Sequence, residues 1–214
     1  KTKKQESIMP IIDLEKLDKS RGRKTGDDFR GENDGIVTRR SRSVRRVQMV
    51  NHVWTALNIF KLQPAWQNEA KRREMKGKNL FMQETYFAYD ANMRIGMYNA
   101  MHFSTGNLVR LRNPRLVDNE DGSCTLTWQP NVEGKRAFLD DRLRVIVLRE
   151  SNPDVFAEIA GITARRADGQ VTFHARDNKE LSGAAHLYAF FMSADGKEFS
   201  PDEHFVSGWD EPVA

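Results

Sequence analysis

The side chains that could act as nucleophiles or metal ligands are few and scattered. Cys124 is the single cysteine, and it stands inside the alternating stretch CTLTWQ, where a cysteine is most often a small core residue. No HxH, HExxH or Cys/His spacing typical of a zinc site occurs among the five histidines, which are His52, His102, His174, His186 and His204. The sequence therefore predicts no metal and no cofactor, and it favours a structural cysteine over a nucleophile.

Pairs of neighbouring acids are the remaining candidates for acid–base chemistry. General acid–base work needs two carboxyl groups placed across a cleft, whereas adjacent carboxylates on a loop are usually solvated turn residues. The pairs are Asp27-Asp28, Asp140-Asp141 and Asp202-Glu203. For Asp140-Asp141, capping a strand or binding an ion is an alternative. Because a phosphate-binding glycine loop and a GxSxG elbow are also missing, the sequence predicts no catalytic residue and a protein that is not an enzyme.

A basic strip is the strongest candidate for a binding site. Residues 36–46, IVTRRSRSVRR, hold five arginines and no acid: Arg39, Arg40, Arg42, Arg45 and Arg46. The strip could contact carboxylates of a protein partner or of another copy of the chain, grip phosphates, or be a solvated edge. No aromatic side chain that could stack on bases is interleaved with these arginines, and no helix-turn-helix, RRM or KH signature occurs.

The distribution of charge supports a binding role for the first half of the chain. Residues 1–107 hold 21 Lys and Arg against 12 Asp and Glu, whereas residues 108–214 hold 13 against 18, so the halves carry +9 and −5. Such asymmetry is typical of a polyanionic partner or of contact between basic and acidic surfaces in an assembly. We predict a structural or interaction protein in a larger assembly, with nonspecific nucleic-acid binding by the strip as the alternative.

Three zones position these residues, and together they predict an α+β fold. Residues 1–43 form a polar basic arm in which Asn33-Asp34-Gly35 could be the turn of a hairpin. Residues 44–107 form a small helical unit, with helices expected over 44–62, from Pro64 to about Gly77, and from Asn79. Residues 108–214 alternate in the period of strands separated by turn signals, which predicts an antiparallel β-sandwich.

The expected core of the last zone follows from the same alternation. Large apolar residues alternate with polar ones in CTLTWQP and DRLRVIVL, and further strands are expected in GQVTFHAR, after an Asp-Gly turn, and in HLYAFFM. We expect the inward-facing set to pack together in one core: Leu126, Trp128, Val145, Val147, Tyr188 and Phe190.

Two motifs of this zone resemble a fibronectin type III or immunoglobulin-like sandwich. They are LTWQPN, with a tryptophan on an early strand before a proline turn, and YAFFMSADGKEFSP, with a tyrosine strand followed by an Asp-Gly turn. Through GRKTGDDF, RRSRS, FSTGNLV and LTWQPN, the whole chain also resembles an uncharacterised Bacteroidetes family, a domain of unknown function. That resemblance implies the arm, the helical middle and the β domain, and it implies no catalytic residue.

The sequence gives little information about the cellular compartment of the protein. The longest apolar runs fall well short of the roughly 18–20 residues that a transmembrane helix needs, and the N-terminal stretch does not have the pattern of a signal peptide. A single cysteine excludes an internal disulfide, which slightly favours a cytoplasmic location.

Overall fold

A computed structural model describes residues 12–13, 39–90, 94–132, 135–175 and 184–208. Three α-helices are followed by a region of strands, so the fold is α+β. The helices are α1 (Arg39–Ile59), α2 (Gln63–Arg72) and α3 (Gly77–Thr85), and 3₁₀ turns cover Tyr86–Ala88, Tyr98–Ala100 and Arg166–Asp168. The strands are β1 (Ile12–Asp13), β2 (Arg112–Asp118), β3 (Cys124–Gln129), β4 (Arg142–Arg149), β5 (Asn152–Glu158), β6 (Gln170–Phe173), β7 (Ala185–Met192) and β8 (Glu203–Ser207).

Helix α1 begins five residues earlier than the apolar periodicity predicts. The expected start was Val44, but the helix already runs from Arg39 and ends at Ile59 rather than at residue 62. Arginine, glutamine and methionine are good helix formers, and neither glycine nor proline interrupts the segment, so it stays helical before its buried stripe begins. Lys61 then adopts a positive φ of 56° and terminates the helix. The hairpin expected near Asn33-Asp34-Gly35 lies outside the described residues.

Helices α2 and α3 form a tight pair after this break. Pro64 lies in the first turn of α2, where the missing N–H costs no hydrogen bond. Gly77 opens α3 against α2, and a Cβ there would lie 3.0 Å from the Cα of Gln67, so the close approach requires glycine. The buried face of α3 includes Leu80 and Phe81, whereas Phe87, in the 3₁₀ turn that follows, is exposed.

All described strands pair antiparallel, in two sheets. One sheet has the order β1-β5-β4-β7-β8, and the other has the order β2-β3-β6. Central strands β4 and β7 pair along their whole length, from Arg142 opposite Met192 to Arg149 opposite Ala185. The four strands expected from alternation are present as β3, β4, β6 and β7.

The five-stranded sheet buries both of its faces. One face shares a buried cluster with the three-stranded sheet, and its main members are Leu126, Trp128, Phe173, Leu143, Val145, Val147, Leu187 and Phe191. The opposite face shares a second buried cluster with the three helices, and its main members are Val50, Leu57, Trp66, Phe81, Phe103, Ile146, Phe156, Tyr188 and Phe190. The helical segment therefore has no core of its own, because the sheet completes it.

The expected single core was wrong for two residues. Tyr188 and Phe190 face the helices, whereas Leu126, Trp128, Val145 and Val147 face the other sheet. Successive residues of a strand point to opposite faces, so Tyr188 and Phe190 must lie opposite Leu187 and Phe191. Strand β7 is buried at seven of its eight positions, and a continuous apolar run does not reveal which face a residue occupies.

Three strands carry no clear signal in the sequence. Strand β2 is mostly exposed, contains Pro114, and has an irregular register beside Asn113, whose φ is 47°. Strand β5 contains Pro153, and β8 alternates weakly. Proline is tolerated at strand starts and on edge strands. No helix within the described ranges is both long and apolar enough to cross a bilayer.

Candidate functional site

The five arginines of the basic strip lie in the first two turns of α1. Arg39, Arg40 and Arg42 belong to the helical backbone, and the description of side chains begins at Val44. The side chain of Val44 is 51% exposed. Arg45 is exposed as well, and the first fully buried residue of the helix is Val50. The strip is therefore presented on a helix whose C-terminal part is fixed in the core.

Arg46 connects this strip to aromatic side chains from another element. Its guanidinium carbon lies 5.0 Å from the centre of the Tyr86 ring, a cation–π distance. Tyr86 in turn meets Phe87 edge to face, with ring centroids 5.6 Å apart. Phe87 is 69% exposed, the largest exposed fraction among the bulky apolar residues described. We call Arg45, Arg46, Tyr86 and Phe87 the Arg/aromatic surface.

A shallow hollow adjoins the Arg/aromatic surface. It has a volume of 370 Å³ and is lined almost wholly by apolar atoms of Asn79, Met82, Gln83, Tyr86 and Phe87. Aromatic residues, methionine and arginine are the types enriched at protein interfaces. The hollow, the exposed ring and the basic helix end therefore make one continuous surface of mixed character.

A second basic cluster, residues 71–78, is partly paired with acids. Arg73 pairs with Glu69 and Glu84, each at 3.0 Å, and these partners raise the pKa of its guanidinium. Arg72 pairs with Glu69 at 3.2 Å and reaches Glu198 at 3.9 Å. Ion pairs therefore engage the two arginines of this cluster, whereas its three lysines are exposed.

Two histidines and a glutamate, brought together from three segments, form a polar chain on the helix-facing side of the sheet. His186 Nε2 lies 3.1 Å from Glu150 Oε1, and His186 Nδ1 lies 2.9 Å from His204 Nε2. Since a carboxylate only accepts, His186 donates from Nε2, and its Nδ1 accepts the proton of His204 Nε2 when both rings are neutral. The Tyr98 ring stacks on His186 with centroids 3.7 Å apart.

This arrangement keeps His204 neutral. Burial, together with the neighbouring positive charge of His186, lowers the pKa of His204 to about 4. The polar chain of Glu150, His186 and His204 was not predicted from the sequence, because it depends on the β7–β8 register. That register places His204 opposite Tyr188 and diagonally next to His186. A proton could pass along these three side chains. Their hydrogen bonds also connect β7 and β8 to the turn that carries Glu150.

Asp202 holds the segment that connects the helices to the strands. Its Oδ2 accepts the backbone N–H groups of Phe103 and Ser104, at 2.6 and 3.2 Å, and its Oδ1 lies 2.9 Å from His102 Nδ1. This hydrogen bond raises the pKa of His102, while burial opposes the shift. Asp202 was expected to be a solvated turn residue, and that expectation was wrong because the backbone donors compensate its burial.

Asp141 likewise departs from the expected solvated turn. It pairs with Arg166 at 2.9 Å, and neither side chain is exposed to solvent. Arg166 also donates to Asn131 Oδ1 and to the carbonyl of Val109, and it lies 4.0 Å over the Phe191 ring. Each nitrogen of the Arg166 guanidinium therefore has a hydrogen-bond partner, and these bonds connect the segments that carry Asp141, Asn131 and Val109.

Cys124 is buried, as the alternating pattern predicts. Its Sγ lies 3.3 Å from Asp118 Oδ1 and 3.5 Å from Ser207 Oγ. Burial raises the pKa of the thiol, which disfavours the thiolate that a nucleophile needs. His52 and His174 join none of these clusters, and within the described residues no group of three histidine, cysteine or acidic side chains is placed to hold a metal ion.

No protein-family model matches the chain, and no curated protein matches it either.

Proposed function

We propose that this chain is a non-enzymatic interaction protein, a component of a larger assembly, which binds a protein partner or further copies of itself through the Arg/aromatic surface. The observation that carries the proposal is the cation–π contact of Arg46 with Tyr86 beside the exposed Phe87. Arginine and aromatic residues dominate the energetics of protein interfaces. A carboxylate-bearing partner could pair with the strip and fill the hollow with an apolar side chain.

The β region supports a role as a rigid scaffold, and we propose that it is a fibronectin-III-like sandwich. Its order β2-β3-β6 corresponds to strands A, B and E of an immunoglobulin-like domain, and β4, β7 and β8 correspond to C, F and G. Here β5 pairs with β4 and extends the second sheet. Trp128 on β3 packs edge to face on Phe191, 5.9 Å away, between the two sheets. Such sandwiches commonly present binding surfaces on a stable core.

The contacts of the potentially reactive side chains support a role outside catalysis. Asp141 and Asp202 compensate buried donors, and Cys124 is packed in the core. Each of these groups is therefore accounted for by a contact that stabilises the fold.

A second candidate function is nonspecific nucleic-acid binding. The observation that favours it is that α3 and the following 3₁₀ turn supply Tyr86 and Phe87 beside the arginines. Proteins that bind single strands combine basic residues with aromatic platforms of this kind. Against it, the two arginines of the second basic cluster, Arg72 and Arg73, are engaged in ion pairs.

The test replaces Arg45 and Arg46 with glutamine and measures particle mass and retention on random-sequence DNA and RNA. A matched control replaces the exposed Lys71 and Lys78 with glutamine, which removes the same charge elsewhere. The proposal predicts that only the arginine variant loses assembly and that the parent is not retained on nucleic acid. Retention that disappears in the arginine variant while assembly survives would favour the second candidate.

A further inference from the structure

The loop between β3 and β4 presents two large apolar side chains to solvent. Phe138 is 51% exposed and Leu139 is 53% exposed, although the backbone carbonyl groups of both residues accept hydrogen bonds. Adjacent exposed apolar residues of this size commonly mark an interaction site.

Backbone and side-chain contacts hold the part of this loop that carries Phe138 and Leu139. Phe138 N donates to Asp141 Oδ2 at 3.0 Å, and its carbonyl accepts Asp141 N at 3.1 Å. The carbonyl of Leu139 accepts the N–H of Ala167 at 3.1 Å, and Asp141 is fixed by its buried pair with Arg166. Because these two residues are already held in place, a partner would need to supply little free energy to order them.

The surroundings of the two apolar residues are basic. Exposed cations flank them on the loop, at the start of β4 and on the adjoining strand bridge: Lys135, Arg136, Arg142 and Arg165. None of the four forms a side-chain ion pair with a carboxylate among the described residues, and the exposed acids described beside them are Asp140 and Asp168. The loop end therefore fits a partner that combines carboxylates with an apolar contact.

The turn at the other end of β3 combines carboxylates with an exposed apolar residue. The turn between β2 and β3 carries three exposed acids, Asp118, Glu120 and Asp121, and Val117 beside them is also exposed. Strand β3 begins at this turn, at Cys124, and ends at Gln129 before the basic loop. At about 3.4 Å per residue, the six residues of β3 hold its two ends roughly 20 Å apart.

We propose that copies of this chain join head to tail, with the Phe138–Leu139 loop of one copy against the acidic β2–β3 turn of the next. The proposal rests on the proposed function in that the chain is an assembly component, and it names the partner as a second copy. Contact between two different surfaces of identical chains is heterologous, so it generates a ring or an open filament rather than a closed dimer. Opposite charge at the two ends would also steer the encounter.

The first test measures native mass over a concentration series for the parent and for a variant with Phe138→Ser and Leu139→Ser. Both side chains are largely exposed, so the variant should keep its fold. We expect the parent to form multiples of 24.6 kDa and the variant to stay at 24.6 kDa. A parent that remains a monomer at every concentration overturns the head-to-tail contact.

A charge-reversal pair makes the test specific. One variant carries Lys135→Glu and Arg136→Glu, and the other carries Asp118→Lys and Glu120→Lys. Each alone has two ends of like charge and should stay monomeric, whereas an equimolar mixture restores opposite ends at every contact and should assemble in alternation. Mixed variants that remain monomeric, while the parent assembles, overturn the proposal.

Two outcomes separate this contact from the proposed function. If the loop variants assemble like the parent and the Arg45, Arg46 variant does not, the head-to-tail contact is wrong and the Arg/aromatic surface stands. If a monomeric parent binds phosphatidylserine-containing vesicles, and Phe138→Ser with Leu139→Ser abolishes that binding, the loop is a lipid contact instead.

Discussion

Asp141 and Arg166 form an ion pair in which neither side chain reaches solvent, with Oδ2 and Nε 2.9 Å apart. The pair joins the start of β4 to the 3₁₀ turn before β6, and so connects the two sheets. Replacing Asp141 with asparagine would leave a buried guanidinium without its counter-charge. Breaking such a pair typically costs about 3–5 kcal/mol.

We therefore expect Asp141→Asn to lower the free energy of unfolding by that amount, as measured by urea denaturation. The neighbouring Asp140 is exposed, so Asp140→Asn is a matched control and should change stability by less than about 0.5 kcal/mol. Equal effects of the two substitutions would mean that the buried pair does not stabilise the fold.

Trp128 is expected to be a main support of the cluster between the sheets. It is 5% exposed, packs on Phe191, and donates from Nε1 to the carbonyl of Arg166 at 2.9 Å. Truncating a buried aromatic residue costs about 3–5 kcal/mol, so Trp128→Ala should lower Tm by at least about 6 °C. Phe87→Ala, at an exposed aromatic residue, is the control and should leave Tm nearly unchanged. A Trp128→Ala protein that melts within a degree or two of the parent contradicts this packing.

The thiol of Cys124 should be protected in the native protein. Burial hinders access and raises the pKa of the thiol, and both effects slow its reaction. We expect a thiol reagent at neutral pH to label the folded chain slowly and to label it rapidly in denaturant. Since Cys124 is the single cysteine, the reaction reports on this site alone. Fast labelling of the folded chain would reopen a nucleophilic role.

His204 should make stability depend on pH in a specific window. Its pKa is lowered to about 4 in the folded chain, against about 6.5 for an unperturbed histidine. Between these values the unfolded chain binds the proton and the folded chain does not, so stability rises with pH from about 4 to 6.5 and is lost as pH falls.

The measurement is urea unfolding at pH 7 and pH 5 for the parent and for His204→Gln. Glutamine retains a donor toward His186 but cannot titrate, so the variant should lose less stability at pH 5 than the parent does. His102 acts with the opposite sign, because its pKa is raised, and it is unchanged in both proteins. Identical losses in the two proteins would rule out His204 as the source.

Local patterns allowed much of the fold to be predicted. Alternation and turn signals located β3, β4, β6 and β7, and the apolar stripe located α1. The same information could not divide the residues of β7 between two cores, since both of its faces are covered. It also missed β2 and β5, where prolines on peripheral strands conceal the pattern.

The candidate sites were less predictable, since they depend on contacts between distant segments. The arginine strip was evident in sequence, but Tyr86 and Phe87 lie about 40 residues further on and join it only through the packing of α1 with α3 and the turn that follows. Asp141 looks like its exposed neighbour Asp140, and only the position of Arg166 distinguishes them.

The most direct test of the central claim is the native mass of the unmodified chain over a concentration series at physiological salt, measured alongside its retention on random-sequence DNA and RNA. The account predicts a mass that rises from 24.6 kDa to multiples of it, with no retention. A single 24.6 kDa species at every concentration, retained on both nucleic acids with an affinity that falls steeply with salt, would contradict it.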